Sequence, residues 1–314
     1  MLIIDNIIFK LQSRGGVSEV IRCLLKVDYK DKKIHNTFLL FRYFPSFPLV
    51  FKKHIYLSSF YKFSLNPYSI NICIVHDMIY ELFPLKTFGN LLHRAQRLLT
   101  FIFSNHLVFI SNSTKNDFFK IYPFLKYKKH SVIYNGVELP CPSKDSIILP
   151  FNNYFLYVGS TGFCKSIDHA IQVANNLPEC NFVFVVSSLK SYCDSNNIVL
   201  PKNIFVLSKL SKFELSYLYT SADASFITSL YEGFGLTIVE SLLSSTPCFG
   251  ANTSSIKELL PYNYLFEHGD INMCVKLLTK FISYDQSLFS VSFSKFNSIV
   301  MQENYVDLFK RLLK

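Results

Sequence analysis

Twelve consecutive residues, Ser229-Leu230-Tyr231-Glu232-Gly233-Phe234-Gly235-Leu236-Thr237-Ile238-Val239-Glu240, combine two carboxylates with two glycines. The window follows a short apolar run, Ala224–Ile227, that reads as a strand, and it opens a helical pattern over Gly235–Ser244. Gly233 and Gly235 permit a tight turn and close backbone approach. The N–H groups of Gly235, Leu236 and Thr237 at the helix start form a natural seat for a diphosphate. From Leu236 to Glu240 the helix rises roughly 6 Å, comparable to the separation between a nucleotide's phosphate and its ribose. Glu232 lies in the loop and Glu240 on the helix, so one carboxylate can accept hydrogen bonds from ribose hydroxyls while the other meets whatever lies beyond the phosphates. Two glutamates eight apart also occur on ordinary solvated helices, so spacing alone leaves both readings open.

The elements that must position these residues follow a βαβ rhythm, which implies largely parallel sheets. In the first half the expected strands are Leu2–Phe9, Thr37–Phe41, Asn71–Val75, Leu107–Ile110 and Ser131–Tyr134, with helices over Val17–Lys26, Asn90–Phe103 and Thr114–Tyr122. Pro140, Pro142 and Pro150 then mark a linker. Beyond it the rhythm restarts, with strands at Tyr154–Val158, Phe182–Val186, Ile204–Leu207, Ala224–Ile227 and Pro247–Phe249. Helices are expected at Ile167–Asn175, Lys212–Thr220, Gly235–Ser244, Ser255–Leu260 and Met273–Ile282. The expected organisation is α/β: a doubly wound domain over 1–140, a second over 141–295, and a C-terminal helix over 296–314 packing back across the junction. Two such domains facing each other would leave a cleft at the carboxyl ends of their strands.

Composition narrows the class. With 314 residues, 50% hydrophobic and 16% aromatic, the chain can bury large cores and is neither disordered nor collagenous. The formal charge of +10 is uneven: residues 1–140 hold 19 Lys/Arg against 8 Asp/Glu (+11), and residues 141–314 hold 13 against 14 (−1). Basic clusters beside aromatics, such as Lys126-Tyr127-Lys128-Lys129, suit an anionic membrane surface or are simply solvated. The eight cysteines form no C-x-x-C pair, so neither a zinc site nor a disulfide framework is indicated. No apolar stretch reaches the ~20 residues of a membrane span. The start, MLIIDNIIFK, carries Asp5 inside its apolar run and reads as a buried strand rather than a signal peptide.

The Ser229–Glu240 window resembles the E-x(7)-E signature of retaining glycosyltransferases of family 4, whose architecture is GT-B: two Rossmann-like doubly wound domains facing across a cleft. The resemblance continues through Thr246-Pro247 and Asn252-Thr253-Ser254-Ser255-Ile256-Lys257-Glu258, similar to the family's "GTPV…NTSSIPEV". Gly15-Gly16-Val17-Ser18 is similar to "GGIS", His76-Asp77-Met78-Ile79 with Phe83-Pro84 to "HDLIP…FP", Ile110-Ser111-Asn112-Ser113-Thr114 to "VSxxS", and Val132-Ile133-Tyr134-Asn135-Gly136-Val137 to "VIYNGVD".

The resemblance implies roles. Glu240 would bind the donor ribose and Glu232 the donor sugar, with the backbone of Gly233, Phe234, Gly235, Leu236 and Thr237 holding sugar and diphosphate. Lys165, six residues after Gly159, matches the lysine that neutralises the leaving diphosphate, and His76 would face the donor sugar. Gly15 and Gly16 would let a loop approach the phosphates. Outside the resemblance, Lys165 reads as an ordinary lysine near a helix start, His76-Asp77 as a capping pair and Gly15-Gly16 as a plain turn. The family's arginine after the second-domain glycine is absent, Ser160 and Thr161 standing there. Either Arg14, beside Gly15-Gly16, partly replaces it or the enzyme is slow or inactive.

The resemblance further implies a hexosyl group moved from a nucleoside diphosphate sugar, GDP-mannose favoured, to an undecaprenyl-diphosphate-linked glycan in O-antigen or capsule synthesis. The protein would lie in the cytoplasm, peripheral at the inner face of the cytoplasmic membrane. No cofactor is expected, and without a D-x-D pair no metal. A nucleotide-sugar epimerase of the same architecture is one alternative, and a basic nucleic-acid-binding protein another; no nucleic-acid motif accompanies the charge.

Overall fold

Short, buried β-branched and aromatic runs alternate with helices, and each run becomes a strand of one of two parallel sheets. The computed structural model describes residues 1–12, 15–143, 147–282 and 296–314. The chain divides into two units, Met1–Gly136 with Ser294–Lys314, and Val137–Phe293.

In the first unit the order is β1 (Leu2–Asp5), α1 (Ile7–Leu11), α2 (Gly16–Leu25), β2 (Lys32–His35), β3 (His54–Ser58), β4 (Ser69–Val75), α3 (Ile79–Leu82), α4 (Phe88–Phe103), β5 (His106–Phe109), α5 (Asn112–Ile121) and β6 (His130–Val132). The strands pair in the order β2-β1-β3-β4-β5-β6, every pair parallel. Two expectations fail here. The run Leu2–Phe9 is not one strand: Asp5 accepts a hydrogen bond from the Ile7 amide (3.0 Å) and from Ser59 N and Oγ (2.9 and 2.5 Å), which turns the chain into α1. Thr37–Phe41 is not a strand either; Leu39–Phe41 forms a single 3-10 turn whose side chains face solvent.

The second unit runs β7 (Phe155–Val158), α6 (Ile167–Asn175), β8 (Phe182–Val185), α7 (Leu189–Asn196), β9 (Ile204–Leu207), α8 (Lys212–Ser221), β10 (Ala224–Ile227), α9 (Leu236–Leu243), β11 (Cys248–Ala251), α10 (Ile256–Leu259), β12 (Leu265–Phe266) and α11 (Ile271–Ile282). Its parallel order is β12-β11-β10-β7-β8-β9. Period-two alternation sorts the side chains. Phe155, Tyr157, Phe182, Phe184 and Phe226 pack on one face with α6 and α11, and Leu156 and Val183 pack on the other with Leu218 and Tyr219 of α8. The last helix, α12 (Ser298–Leu313), belongs to the first unit, where Gln302 donates to the Cys23 carbonyl (2.9 Å).

Candidate active site

Strand order fixes where a site can form. In the second unit β7 lies between β8 and β10, so the connections leaving β7 and β10 run to opposite sides and open a crevice at their carboxyl ends. Both sequence-predicted charges sit there: Lys165 in the loop after β7 and Glu232 in the loop after β10. Lys165 Nζ donates to Glu232 Oε1 at 2.6 Å, and Ser229 Oγ donates to the same oxygen at 2.7 Å. The lysine is one-third exposed and the carboxylate 12% exposed, so the pair is partly desolvated yet open to a ligand.

The loops are built to hold this pair. Lys165 closes a 3-10 turn, and Ser166 follows in the left-handed region (φ 47°). The Lys165 carbonyl accepts from Tyr157 (3.2 Å) and from Thr228 Oγ1 (3.1 Å). Around Glu232, the segment after β11 closes on the segment after β10. Thr253 Oγ1 donates to the Ser229 carbonyl (2.8 Å), the Glu232 amide donates to Ser254 Oγ (2.7 Å), and Ser255 Oγ donates to the Glu232 carbonyl (2.9 Å). Three successive hydroxyls of the Asn252–Ser255 motif thus fix the loop that carries the carboxylate.

Gly235 precedes α9 with φ 96°, a conformation that favours glycine, and a Cβ there would crowd Ile238 Cδ1 at 3.0 Å. No side chain caps α9, and among the described residues the amides of Gly235, Leu236 and Thr237 have no backbone acceptor. Such a helix start attracts an anion. Gly233 and Phe234 are buried in the turn before it. Glu240, further along α9, accepts from the hydroxyl of fully buried Tyr219 on α8 at 3.0 Å. Lys165, Glu232 and the start of α9 therefore cluster within this unit, with Glu240 held separately by α8.

The remaining predicted residues belong to the first unit. Gly15 (φ 151°, ψ 167°) precedes α2, and Gly16 begins it. Arg14 lies outside the described residues. His76 leaves β4 and is 4% exposed; burial pushes its imidazole down to about 4, so it is neutral at pH 7. Its Nε2 is buried and, among the described residues, has no hydrogen-bond partner. Behind it Arg97 of α4, wholly buried, donates to the Asp77 carbonyl (2.6 Å) and to Glu81 Oε1 (2.8 Å), and its guanidinium lies 4.2 Å from the centre of the Tyr61 ring.

Arg97, Tyr219, Ser229 and Ser254 are contributors that reasoning from sequence missed. Ser229 and Ser254 lay inside quoted motifs and could have been found as hydroxyls flanking a carboxylate. Arg97 and Tyr219 carried no local signal. Among the described residues no group of three or more His, Cys, Asp or Glu side chains could hold a metal ion.

Residues 144–288 match the family described as Glycosyl transferases group 1. The chain is 28% identical over 172 residues to the O-antigen chain mannosyltransferase RfbU of Salmonella typhimurium, covering 52% of this chain and 47% of that protein. It is 27% identical over 129 residues to the sulfoquinovosyl transferase SQD2 of Arabidopsis thaliana, covering 39% and 25%. The chain thus spans less than half the length of the curated relatives it matches. In fold it is similar to Anabaena HepE in complex with UDP-glucose, with a TM-score of 0.68 over 99% of both chains at 17% identity. OtsA is similar too, with a TM-score of 0.68 over 98% of both chains at 12% identity.

Proposed function

We propose that the chain, whose fold is GT-B and whose residues 144–288 match the glycosyl transferases of group 1, is a retaining hexosyltransferase acting on a nucleoside diphosphate sugar and a lipid-linked glycan. The observation that carries this reading is the Lys165–Glu232 pair at the β7/β10 crevice, beside the uncapped start of α9. As the bond from the sugar's anomeric carbon to the diphosphate breaks, its electron pair stays on the phosphate oxygen. The lysine ammonium and the α9 amides supply positive potential where that charge grows. Lys165 has three N–H donors, one of them taken by Glu232, so it can meet a phosphoryl oxygen while remaining oriented.

The acceptor hydroxyl attacks from the face the leaving group vacates, and its proton passes to the departing phosphate. The anomeric configuration is retained, and no protein base or covalent nucleophile is needed. Glu232 orients the sugar's hydroxyls and Glu240 the ribose. His76, neutral at pH 7, exchanges hydrogen bonds with the sugar rather than adding charge. No resident metal enters the scheme.

Likeness to an O-antigen mannosyltransferase supports GDP-mannose as donor and an undecaprenyl-diphosphate-linked glycan as acceptor, used at the cytoplasmic face of the membrane. The UDP-glucose in the HepE structure favours a uridine donor instead. Thermal shifts with GDP, UDP, ADP and dTDP decide between them, because a bound nucleotide stabilises by RT ln(1 + [L]/Kd). Absence of a shift with all four would overturn the donor-site reading. Product analysis without acceptor separates transfer from epimerisation.

A further inference from the structure

Helix α4 is inside out. Phe88, Leu91, Leu92, Leu99, Ile102 and Phe103 recur at three- and four-residue spacing on one stripe, and all six are exposed, Phe88 at 80% and Leu91 at 62%. The opposite stripe, buried in the unit, carries Asn90, His93, Arg97 and Thr100 together with one apolar residue, Phe101. A helix of a water-soluble surface has the reverse arrangement.

The exposed stripe does not end at the helix. Gln96 Nε2 of α4 donates to the Arg42 carbonyl (2.7 Å) and Lys62 Nζ donates to the carbonyls of Phe41 (2.8 Å) and Phe44, which fixes residues 41–44 beside the helix. Asn66 Nδ2 donates to the carbonyls of Pro48 (2.6 Å) and Val50 (2.8 Å), which carries the segment onward. That segment turns Leu40, Leu49 and Phe51 outward, each about four-fifths exposed. At the other end Lys128 Nζ donates to the Ser104 carbonyl (2.9 Å), placing Tyr127 and its flanking lysines by the last turn of α4. Contiguous apolar surface of this extent is uncommon on a monomer in water.

Charge identifies what covers it. Residues 38–53, 85–105 and 123–129 contain no Asp or Glu, while Arg42, Lys86, Arg94, Lys126, Lys128 and Lys129 lie within them; Lys52 faces Asp31, itself outside these segments, at 3.9 Å. A symmetric pairing of two copies through this face would set like charges against each other. An anionic bilayer neutralises them and receives the apolar side chains. Among the described residues no helix is long and apolar enough to cross a membrane.

We infer that α4 and residues 38–51 form a platform that lies in the headgroup region of an anionic lipid bilayer, α4 parallel to the surface with its apolar stripe among the acyl chains. This deepens the proposed function by naming what brings the enzyme to a lipid-linked acceptor, and rests on it for that purpose only.

The full chain, mixed with vesicles of equal parts phosphatidylglycerol and phosphatidylcholine, is floated on a density gradient. Flotation is expected, weakened but not abolished at about 0.5 M salt, where screening shortens the reach of surface charges to a few ångströms. Leu91→Ser with Leu99→Ser should lower the high-salt partition coefficient by about tenfold for each leucine. The far-UV spectrum should be unchanged, since both side chains already face solvent. The inference is overturned if the wild-type chain does not float, if the double variant floats equally well, or if the chain is a dimer that this variant dissociates without any vesicle binding. Nucleotide thermal shifts are read on the same samples, so a failed donor site is distinguished from a failed platform.

Discussion

Arg97→Met is expected to be the most damaging single substitution among the residues around His76. The guanidinium is fully buried, donates at 2.8 Å to Glu81 and at 2.6 Å to the Asp77 carbonyl, and lies over the Tyr61 ring. Methionine fills most of the volume but leaves the Glu81 side chain, itself without exposure, as a buried carboxylate lacking its counter-charge. Breaking a buried pair from one side costs about 3–5 kcal/mol. At roughly 2–4 °C per kcal/mol for a unit of this size, the melting transition of the first unit should fall by about 10 °C. Calorimetry measures the fall, and a transition that shifts with nucleotide is assigned to the second unit. The double variant Arg97→Met, Glu81→Leu removes both charges and should recover most of the loss. A loss below about 1 kcal/mol, or a double variant no more stable than the single one, would refute the view that this pair holds the His76–Asp77 turn.

Within the second unit, Glu240→Ala should weaken nucleotide binding, whereas Glu232→Ala and Lys165→Ala should reduce transfer more than binding; the reverse order in calorimetric titration against kcat would remove the assigned roles. Tyr219→Phe deletes one hydrogen bond to Glu240 and should raise donor KM by about threefold to tenfold with kcat little changed, and an unchanged KM would show that Glu240 needs no such support. Burial holds the His76 imidazole at about 4 in the folded state against an ordinary 6.5. The unfolded chain therefore takes up this proton first as pH falls. Stability should be level above about 7 and decline between about 6.5 and 4, by roughly 1.4 kcal/mol per pH unit for this residue. Burial also lowers His93 and His106, so the slope steepens in the same direction. Urea midpoints that stay constant from pH 7 to 4.5 would contradict it.

Much of this arrangement was legible before any coordinates. Ile204–Leu207, Ala224–Ile227 and Ile167–Asn175 stand where the apolar rhythm puts them, because each is a short apolar run or amphipathic helix closed by polar residues. The glycine window was legible because a positive φ at Gly235 leaves a mark in residue type. Other features left none. The His54–Ser58 strand went unseen because it is embedded in a stretch already dense with Phe and Tyr, which erases the contrast that period-two reading needs. Asp5 broke the first run through the Ile7 amide beside it and through Ser59, more than fifty residues away, and the distant partner leaves no local mark. Tyr219 acts on Glu240 only because α8 and α9 flank the same strand.

Helix α4 exposes a deeper limit. Periodicity shows that Phe88, Leu91, Leu99 and Phe103 share a face, but not which way that face points. The usual inference, apolar inward, assumes water on every side. Arg97 decides otherwise: with Glu81 and the Asp77 carbonyl beneath, the guanidinium finds these two partners by turning inward, and Asn90 and His93 on the same stripe are carried in with it. The apolar stripe is then forced outward. Arg97 therefore links two assignments that looked independent, the turn that carries His76 and the orientation of the apolar surface. A substitution that released the guanidinium should disturb both, so Arg97→Met should lower vesicle binding as well as stability, while Leu91→Ser with Leu99→Ser should lower vesicle binding alone.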